Sequence, residues 1–431
     1  MPWNNFITEI LNVQMEDIQE IHPVSDSSSN MTIRIKLKNR QSHCPFCGGR
    51  VRINCYKERK LTHSIFMDRK CVILYLQRRY QCVECKFTFN ERNPFINTRE
   101  NITFETKVNI LKALKHYSVT YSYVASAFNV SKPTVIRIFD KHVNIPRKKL
   151  TEAISIDEHY FPRSDYNSLY CCLIMDFVTG TMLDILPDRR KSHLQNYFST
   201  IKIETMDSLS RSSELDNVKY ISTDMYEVYR DIASIYFPKA KVCADSFHVT
   251  KHLTDCLRDV RLRCRRNTQD KKLIYLLSKF SFIFDHQIYI DNYPKYNRRL
   301  GYKINLREIR ELIFKHFPDL EVAFNLKEMY MHFNKNCNVE TAPEYLDTII
   351  ERFSHCGIPE YEPFYRLLTN WRTEIINSFS MVNGKRINNS YIESMNAKIE
   401  KLIYNSNGIV NYERARKRIL YCLNENDTFT L

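Results

Sequence analysis

Mixed α/β domains joined to a helix-only region account for the patterning of this chain, and three features carry that reading. Two Cys-x-x-Cys pairs, Cys44–Cys47 and Cys82–Cys85, bracket alternating, strand-like segments near the N-terminus. Between Glu152 and His248, short apolar alternations take turns with segments of helical spacing, as in a sheet covered by helices. Beyond His248 the apolar spacing is helical over most of the length. With 431 residues, about two to four domains are expected.

Composition narrows the class. Lys and Arg number 64 against 49 Asp and Glu, a net charge of +15, which favours a polyanion as partner. An apolar share of 43% supplies real cores and excludes a disordered chain. Seven glycines, with no phosphate-loop or dinucleotide fingerprint, argue against a nucleotide-binding loop. No apolar run is long enough for a bilayer, and Met1 is not followed by a charged-then-apolar leader. The expected location is therefore the cytoplasm, where the 14 cysteines read as thiols or metal ligands rather than disulfides.

The elements follow in order. A short helix is expected at Asn5–Leu11, then two strands around the Ser25–Asn30 turn, with Ile33, Ile35 and Leu37 on one face of the second. Cys44-Pro-Phe-Cys47-Gly-Gly and Cys82-Val-Glu-Cys85 are two knuckles of a zinc-ribbon-like finger, supplying four soft ligands for tetrahedral Zn²⁺. Cys55, His63 and Cys71 lie between them as alternative ligands, and the four knuckle cysteines are favoured. Basic residues from Arg50 to Arg79 give this part a phosphate-seeking surface.

From Phe104 to His142 the spacing turns helical. Val124, Ala125 and Phe128 face inward, Asn129-Val130 turns, Ser131 caps and Pro133 opens the next helix, a helix-turn-helix pattern. Its second helix offers Lys132, Thr134, Arg137 and Lys141 to a major groove.

The segment Glu152–His248 reads as three strands, a helix, a strand, a helix and a strand, the element order of a ribonuclease-H-like mixed sheet. Asp157 ends the first strand, Asp224 the fourth, and Asp245 the last, three residues before His248. Carboxylates side by side at a sheet edge are costly unless a cation sits between them. A basic, Tyr- and Phe-rich helical stretch follows, which suits partly unpaired nucleic acid or an aromatic bundle core equally. Further helices are expected at 306–317, 319–334, 342–356 and 363–379. In Asn389-Ser-Tyr-Ile-Glu393-Ser-Met-Asn396, Ser390 caps a helix that carries Glu393 in its first turn and Asn396 one turn on.

Knuckles, helix-turn-helix, ISIDEHYF, ISTDMYEVY, FPKAKVCADSFHVTKHL and NNSYIESMNAKIEKL, in that order, resemble bacterial insertion-sequence transposases of the ISL-three type. The resemblance covers nearly the whole chain. It implies a DDE triad of Asp157, Asp224 and Glu393, holding Mg²⁺ (or Mn²⁺) on a ribonuclease-H-like core, with Asp245 and His248 in support. It also implies double-stranded DNA as partner (element ends and target), a homodimer or larger assembly on DNA, and location at the bacterial nucleoid. The family usually has Arg where Ser246 stands, a difference that leaves every carboxylate in place.

On this reading residues 1–95 form the N-terminal strands and finger, 100–145 the helix-turn-helix, 150–250 the first part of the catalytic core, 251–385 a helical insertion, and 386–431 the core's C-terminal helices with the Glu. Two rivals remain: a non-cutting DNA-binding regulator with the same upstream modules, and a ribonuclease-H-like nuclease that ignores terminal sequence.

Overall fold

The computed structural model describes residues 11, 13–27, 30–66, 69–161, 166, 168–207, 212–285, 289–406 and 410–431. The expected helix at Asn5–Leu11, save Leu11 itself, and the tip of the Ser25–Asn30 turn lie outside the described residues. The chain forms two compact units, Met1–Pro146 with Ala397–Leu431, and Arg147–Asn396. Among the described residues, no helix is long and apolar enough to cross a membrane.

In the first unit, β1 (Ile18–Ser27), β2 (Asn30–Leu37), β3 (Val51–Phe66) and β4 (Arg69–Cys82) lie in the order β1-β2-β4-β3, and β5 (Thr88–Asn90) pairs with β4. Ile33, Ile35, Leu61, Ile73 and Tyr75 form its core, matching the alternation read in MTIRIKLK. Arg78 is buried in this sheet and is matched by Glu91 at 2.7 Å, the Leu37 carbonyl and Gln19. β3 and β4 form one long antiparallel hairpin whose register pairs Val51 with Cys82.

Three helices follow: α1 (Phe104–Leu114), α2 (Tyr121–Ala127) and α3 (Lys132–His142). Thr103, Thr120 and Ser131 each accept a hydrogen bond from a first-turn amide, caps worth about 1 kcal/mol apiece. Asn129, between α2 and α3, holds φ +53°, a conformation asparagine tolerates better than most residues. The Val130 amide closes that turn onto the Ala125 carbonyl.

The C-terminal helix Tyr412–Leu423 belongs with these helices. Tyr421 donates to the Leu111 carbonyl and its ring lies 5.9 Å from Phe139. Arg414 pairs with Asp140, and buried Arg418 donates to the His116 and Val119 carbonyls. The sequence reading placed all of 386–431 with the catalytic core. By contact grouping, Ala397–Leu431 falls with Met1–Pro146, in keeping with the Tyr421, Arg414 and Arg418 contacts.

The second unit is built on β6 (Ala153–Tyr160), β7 (Tyr170–Asp176), β8 (Met182–Leu186), α4 (Lys191–Glu204), β9 (Tyr220–Thr223), α5 (Glu227–Tyr236) and β10 (Lys241–Ala244). The sheet order is β10-β9-β6-β7-β8, with β6, β7 and β8 antiparallel in turn and β6, β9 and β10 parallel. One face, with Ile154, Ile156, Ile174 and Ile221, packs on Leu194 and Phe198 of α4 and Tyr229 and Ile232 of α5. The opposite face carries Ala153 and Cys243 against Val382 and Ile387.

The chain then runs through α6 (Ser246–Asn267), α7 (Lys271–Lys279), α8 (Phe282–Asp285), the hairpin β11 (Lys295–Asn297) and β12 (Tyr302–Ile304), and α9 (Leu306–His316). Next come α10 (Pro318–Asn336), α11 (Ala342–Ser354), α12 (Glu362–Asn370), α13 (Arg372–Asn377), the hairpin β13 (Met381–Val382) and β14 (Lys385–Arg386), and α14 (Ser390–Asn405). This helical region has its own core, in which Leu253, Leu257, Tyr330, Phe333, Tyr361, Phe364 and Trp371 are buried together. The helix expected at 363–379 is broken at Trp371, whose backbone leaves the helical range (φ −106°, ψ 20°) as its ring enters the core. The ambiguous aromatics divide: Phe284 is buried, whereas Tyr289, Tyr293 and Tyr296 are exposed.

Candidate functional site: two metal-ligand clusters

The four knuckle cysteines come together. Cys44, Cys47, Cys82 and Cys85 place their sulfurs within 4.8 Å of one another, with Cys44–Cys85 at 3.8 Å and Cys47–Cys82 at 3.5 Å. Tetrahedral Zn²⁺ with Zn–S near 2.3 Å requires sulfurs about 3.8 Å apart, so the group fits zinc. The β3–β4 hairpin explains the assembly, since its register returns the chain to the level at which it started.

The two knuckles also repeat one backbone. The Cys44 amide donates to the Gly49 carbonyl at 2.8 Å, and the Cys82 amide to the Phe87 carbonyl at 2.9 Å. The residue after each second cysteine is left-handed: Gly48 at φ +76° and Lys86 at φ +62°. A lysine there gives no glycine signal in the sequence, so this likeness was not foreseen. Burial works against the Cys82 thiolate, yet hydrogen bonding from the Cys85 and Glu84 amides brings its pKa down to about 7. Cys55 is exposed, Cys71 is buried in the sheet core and His63 bonds Thr103, so none of the three joins the cluster.

The second cluster rises from the parallel strands of the other unit. Ile156 pairs with Thr223, and Thr223 with Ala244, so Asp157, Asp224 and Asp245 each stand one residue beyond the same register level. Adjacent strands lie about 4.8 Å apart, so three backbone positions carrying carboxylates stand in a row across the sheet edge. The sequence reading put Asp157 at the end of its strand; β6 continues through it to Tyr160.

Burial makes these acids weak. Desolvation pushes Asp157 up to about 6, although Asn396 donates to its Oδ2 at 2.9 Å. Desolvation, then the charges of Glu158 and Asp157, push Asp224 up to about 7. Asp245 is 1% exposed and is raised by burial against the opposing influence of His248. Its Oδ1 caps α6 through the Phe247 amide and accepts from the Asn389 amide. Among the described residues, its Oδ2, 3.9 Å from His248 Nε2, accepts no hydrogen bond.

Glu393 arrives on the first turn of α14, raised by burial and then by Asp245. Ligand atoms of Asp245, His248 and Glu393 all lie within 4.8 Å of one another. The sequence reading ranked Asp224 above Asp245. Among the described residues, the only carboxylate-containing group gathered this tightly includes Asp245 and Glu393 and neither Asp157 nor Asp224. Asp157 and Asp224 adjoin it electrostatically, Asp157 through Asp245 and Asp224 through His248.

Residues to which the sequence reading assigns no site role complete the picture. Among the described residues, buried Asn389 leaves both side-chain polar atoms unpartnered, and Asn396 leaves its Oδ1 so. Glu158 is paired with Arg189, whose guanidinium lies 4.3 Å from the Tyr170 ring centroid and 4.9 Å from that of Tyr226. Clustered acids with orphaned oxygens and weakened acidity are short of positive charge, and hard oxygen donors of this kind fit Mg²⁺ or Mn²⁺.

On the three-helix face of the first unit, Lys132, Arg137 and Lys141 are exposed on α3, while Thr134 shares a hydrogen bond with Ser131. Lys132, Pro133, Ile136, Arg137, Asp140 and Lys141 line a shallow concavity. Asp140 is neutralised there by Arg414, and Lys141 reaches Glu100 at 3.3 Å.

No curated protein matches the chain. The family described as Transposase, of the ISL3 DDE type, matches residues 154–419, which is more than half of the chain and includes Asp157, Asp224, Asp245 and Glu393. The chain therefore belongs to the ISL3-type transposase family, whose members cut and join DNA.

Proposed function

We propose that this transposase cuts DNA at the ends of an insertion sequence and joins the freed ends to a target, through a metal-dependent site on a ribonuclease-H-like sheet. The observation that carries the reading is the register that aligns Asp157, Asp224 and Asp245 on three adjacent parallel strands, with Glu393 reaching Asp245 and His248 from α14. The β10-β9-β6-β7-β8 order supports the fold assignment.

Asp157, Asp224 and Glu393 are the residues of the triad that would hold the divalent metal. Asp245 is promoted from support to a fourth ligand beside Glu393, and His248 orients it. When bound there, divalent metal would supply Lewis-acid stabilisation to an in-line displacement and a lowered pKa to the attacking hydroxyl. Asn396 fixes the Asp157 carboxylate through its 2.9 Å hydrogen bond. Lys251 adds positive charge near Glu393.

In the first step a water oxygen bonds to phosphorus and the bond to the 3′ oxygen breaks. The released 3′-hydroxyl then attacks a target phosphodiester, exchanging one P–O bond for another, so no external energy source is needed. The Zn²⁺ finger and the helix-turn-helix formed by α2 and α3 bind the element ends, with Lys132, Thr134, Arg137 and Lys141 toward the major groove. Cutting paired ends calls for at least two copies on the DNA.

The test is cleavage of DNA carrying the element's ends in Mg²⁺, comparing wild type with Asp224→Ala and Asp245→Ala. Wild type should cut and both variants should bind without cutting. If wild type binds the ends and never cuts, the protein is a DNA-binding regulator instead.

A further inference from the structure

We propose that the β11–β12 hairpin and the residues leading into it form a separate binding surface for unpaired DNA. The proposal rests on the DNA-cutting reading above only for the source of that strand. Nothing in the triad or in the upstream modules uses this segment.

Four tyrosines face solvent within 14 residues: Tyr289 at 77%, Tyr293 at 91%, Tyr296 at 63% and Tyr302 at 48% exposure. Lys295, Arg298, Arg299 and Lys303 are exposed among them. Among the described residues none of these four cations has an acidic partner within ion-pair distance, and the neighbouring Asp291 is taken by a two-pronged contact from Arg307. A surface that keeps large rings in water beside unneutralised cations is arranged for a ligand with both anionic and aromatic parts.

The scaffold is shaped rather than loose. Buried Asn297 accepts the Arg299 and Leu300 amides on its Oδ1, and its carbonyl accepts the Gly301 amide at 2.9 Å. Gly301 takes φ +85° to close the turn, a conformation that disfavours any side chain. The register sets Tyr296 directly opposite Lys303, so a ring and an ammonium share one face. Arg299 lies 4.6 Å from the Tyr275 ring centroid, which holds its guanidinium in place.

The chemistry selects the strand state. Tyrosine rings bind bases by stacking on their faces, and a duplex already covers those faces. Unpaired strand offers both bases and phosphates. Four cations with no acidic partner among the described residues match a phosphate backbone.

The experiment uses the full-length, zinc-loaded protein and two fluorescent probes at physiological salt: a single-stranded oligothymidine and a duplex carrying an element end. The variant is Tyr293→Ala/Tyr296→Ala/Tyr302→Ala, at exposed positions, with circular dichroism as a check on folding. Affinity for the single strand should fall about tenfold or more, while duplex affinity stays at the wild-type value. A second variant, Lys295→Gln/Lys303→Gln, should flatten the salt dependence of single-strand binding by about one to two phosphates' worth.

Unchanged single-strand affinity in both variants overturns the proposal. So does an equal loss for both probes, which marks a non-specific basic surface, or a fall in self-association alone, which marks a contact between copies. Asp224→Ala should bind the single strand as wild type does, so failure of the cutting reading is told apart from failure of this one.

Discussion

The cysteine cluster and the carboxylate cluster each gather ligand groups from separate segments, but by opposite routes. The cysteines meet because one hairpin folds back on itself, so that a single register accounts for all four. The carboxylates need a three-strand parallel register and then Glu393, which lies well over a hundred residues further along. The chemical outcomes differ in the same sense. Sulfurs at 3.5 and 3.8 Å already stand at the spacing of a closed tetrahedral site. The acids, with weakened acidity and an Asp245 oxygen that has no hydrogen-bond partner among the described residues, are electrostatically incomplete.

The strongest way to break this contrast is to remove each metal in turn. Structural zinc contributes on the order of 10 kcal/mol to a small domain's folding. Chelation, or Cys47→Ser, should therefore unfold the finger, seen as lost amide protection in β3 and β4, and abolish binding to element ends. Protection in β6, β9 and β10 should persist. Withholding Mg²⁺ should leave both units folded and stop only the chemistry.

Next in size is Asp157→Ala, which should lower cleavage by on the order of 10²–10³-fold while end binding stays within about twofold. Asp245→Ala should match Asp224→Ala if Asp245 is a ligand, and retain most activity if it only caps α6.

A smaller effect concerns pH. Asp157 at about 6 and Asp224 at about 7 lie above the unfolded carboxylate value near 3.9. The metal-free folded state thus holds extra protons between those values, and its stability falls as pH rises through that window. Melting temperature without metal should drop between pH 5 and pH 8, and Mg²⁺ should flatten that drop by binding the ionised forms. A melting temperature that rises with pH would contradict the burial argument. Smallest is Asn396→Ala, which removes one hydrogen bond to Asp157. It should weaken apparent Mg²⁺ affinity by less than about tenfold, and Asn396→Asp should not restore it.

The same contrast explains what was legible beforehand. Spacing alone identified the cysteine knuckles, because two residues between ligands encode a tight turn whatever surrounds them. It missed the left-handed Lys86, since lysine carries no turn signature. Strand-end aspartates were visible too, as was the capping residue Ser131. Which aspartate meets Glu393 was not, because that depends on how α14 packs after a long helical region. The grouping of Tyr412–Leu423 with α1 and α3 was hidden for the same reason: an amphipathic helix shows which face it buries, not against what.

The most direct measurement is a Mn²⁺ titration of the full-length, zinc-loaded protein, followed by electron paramagnetic resonance, in wild type and Asp157→Ala. The account predicts about two ions bound per wild-type chain and a large loss of that binding in the variant. Equal binding in both proteins would contradict it, because the row of acids on β6, β9 and β10 would then not be the metal site.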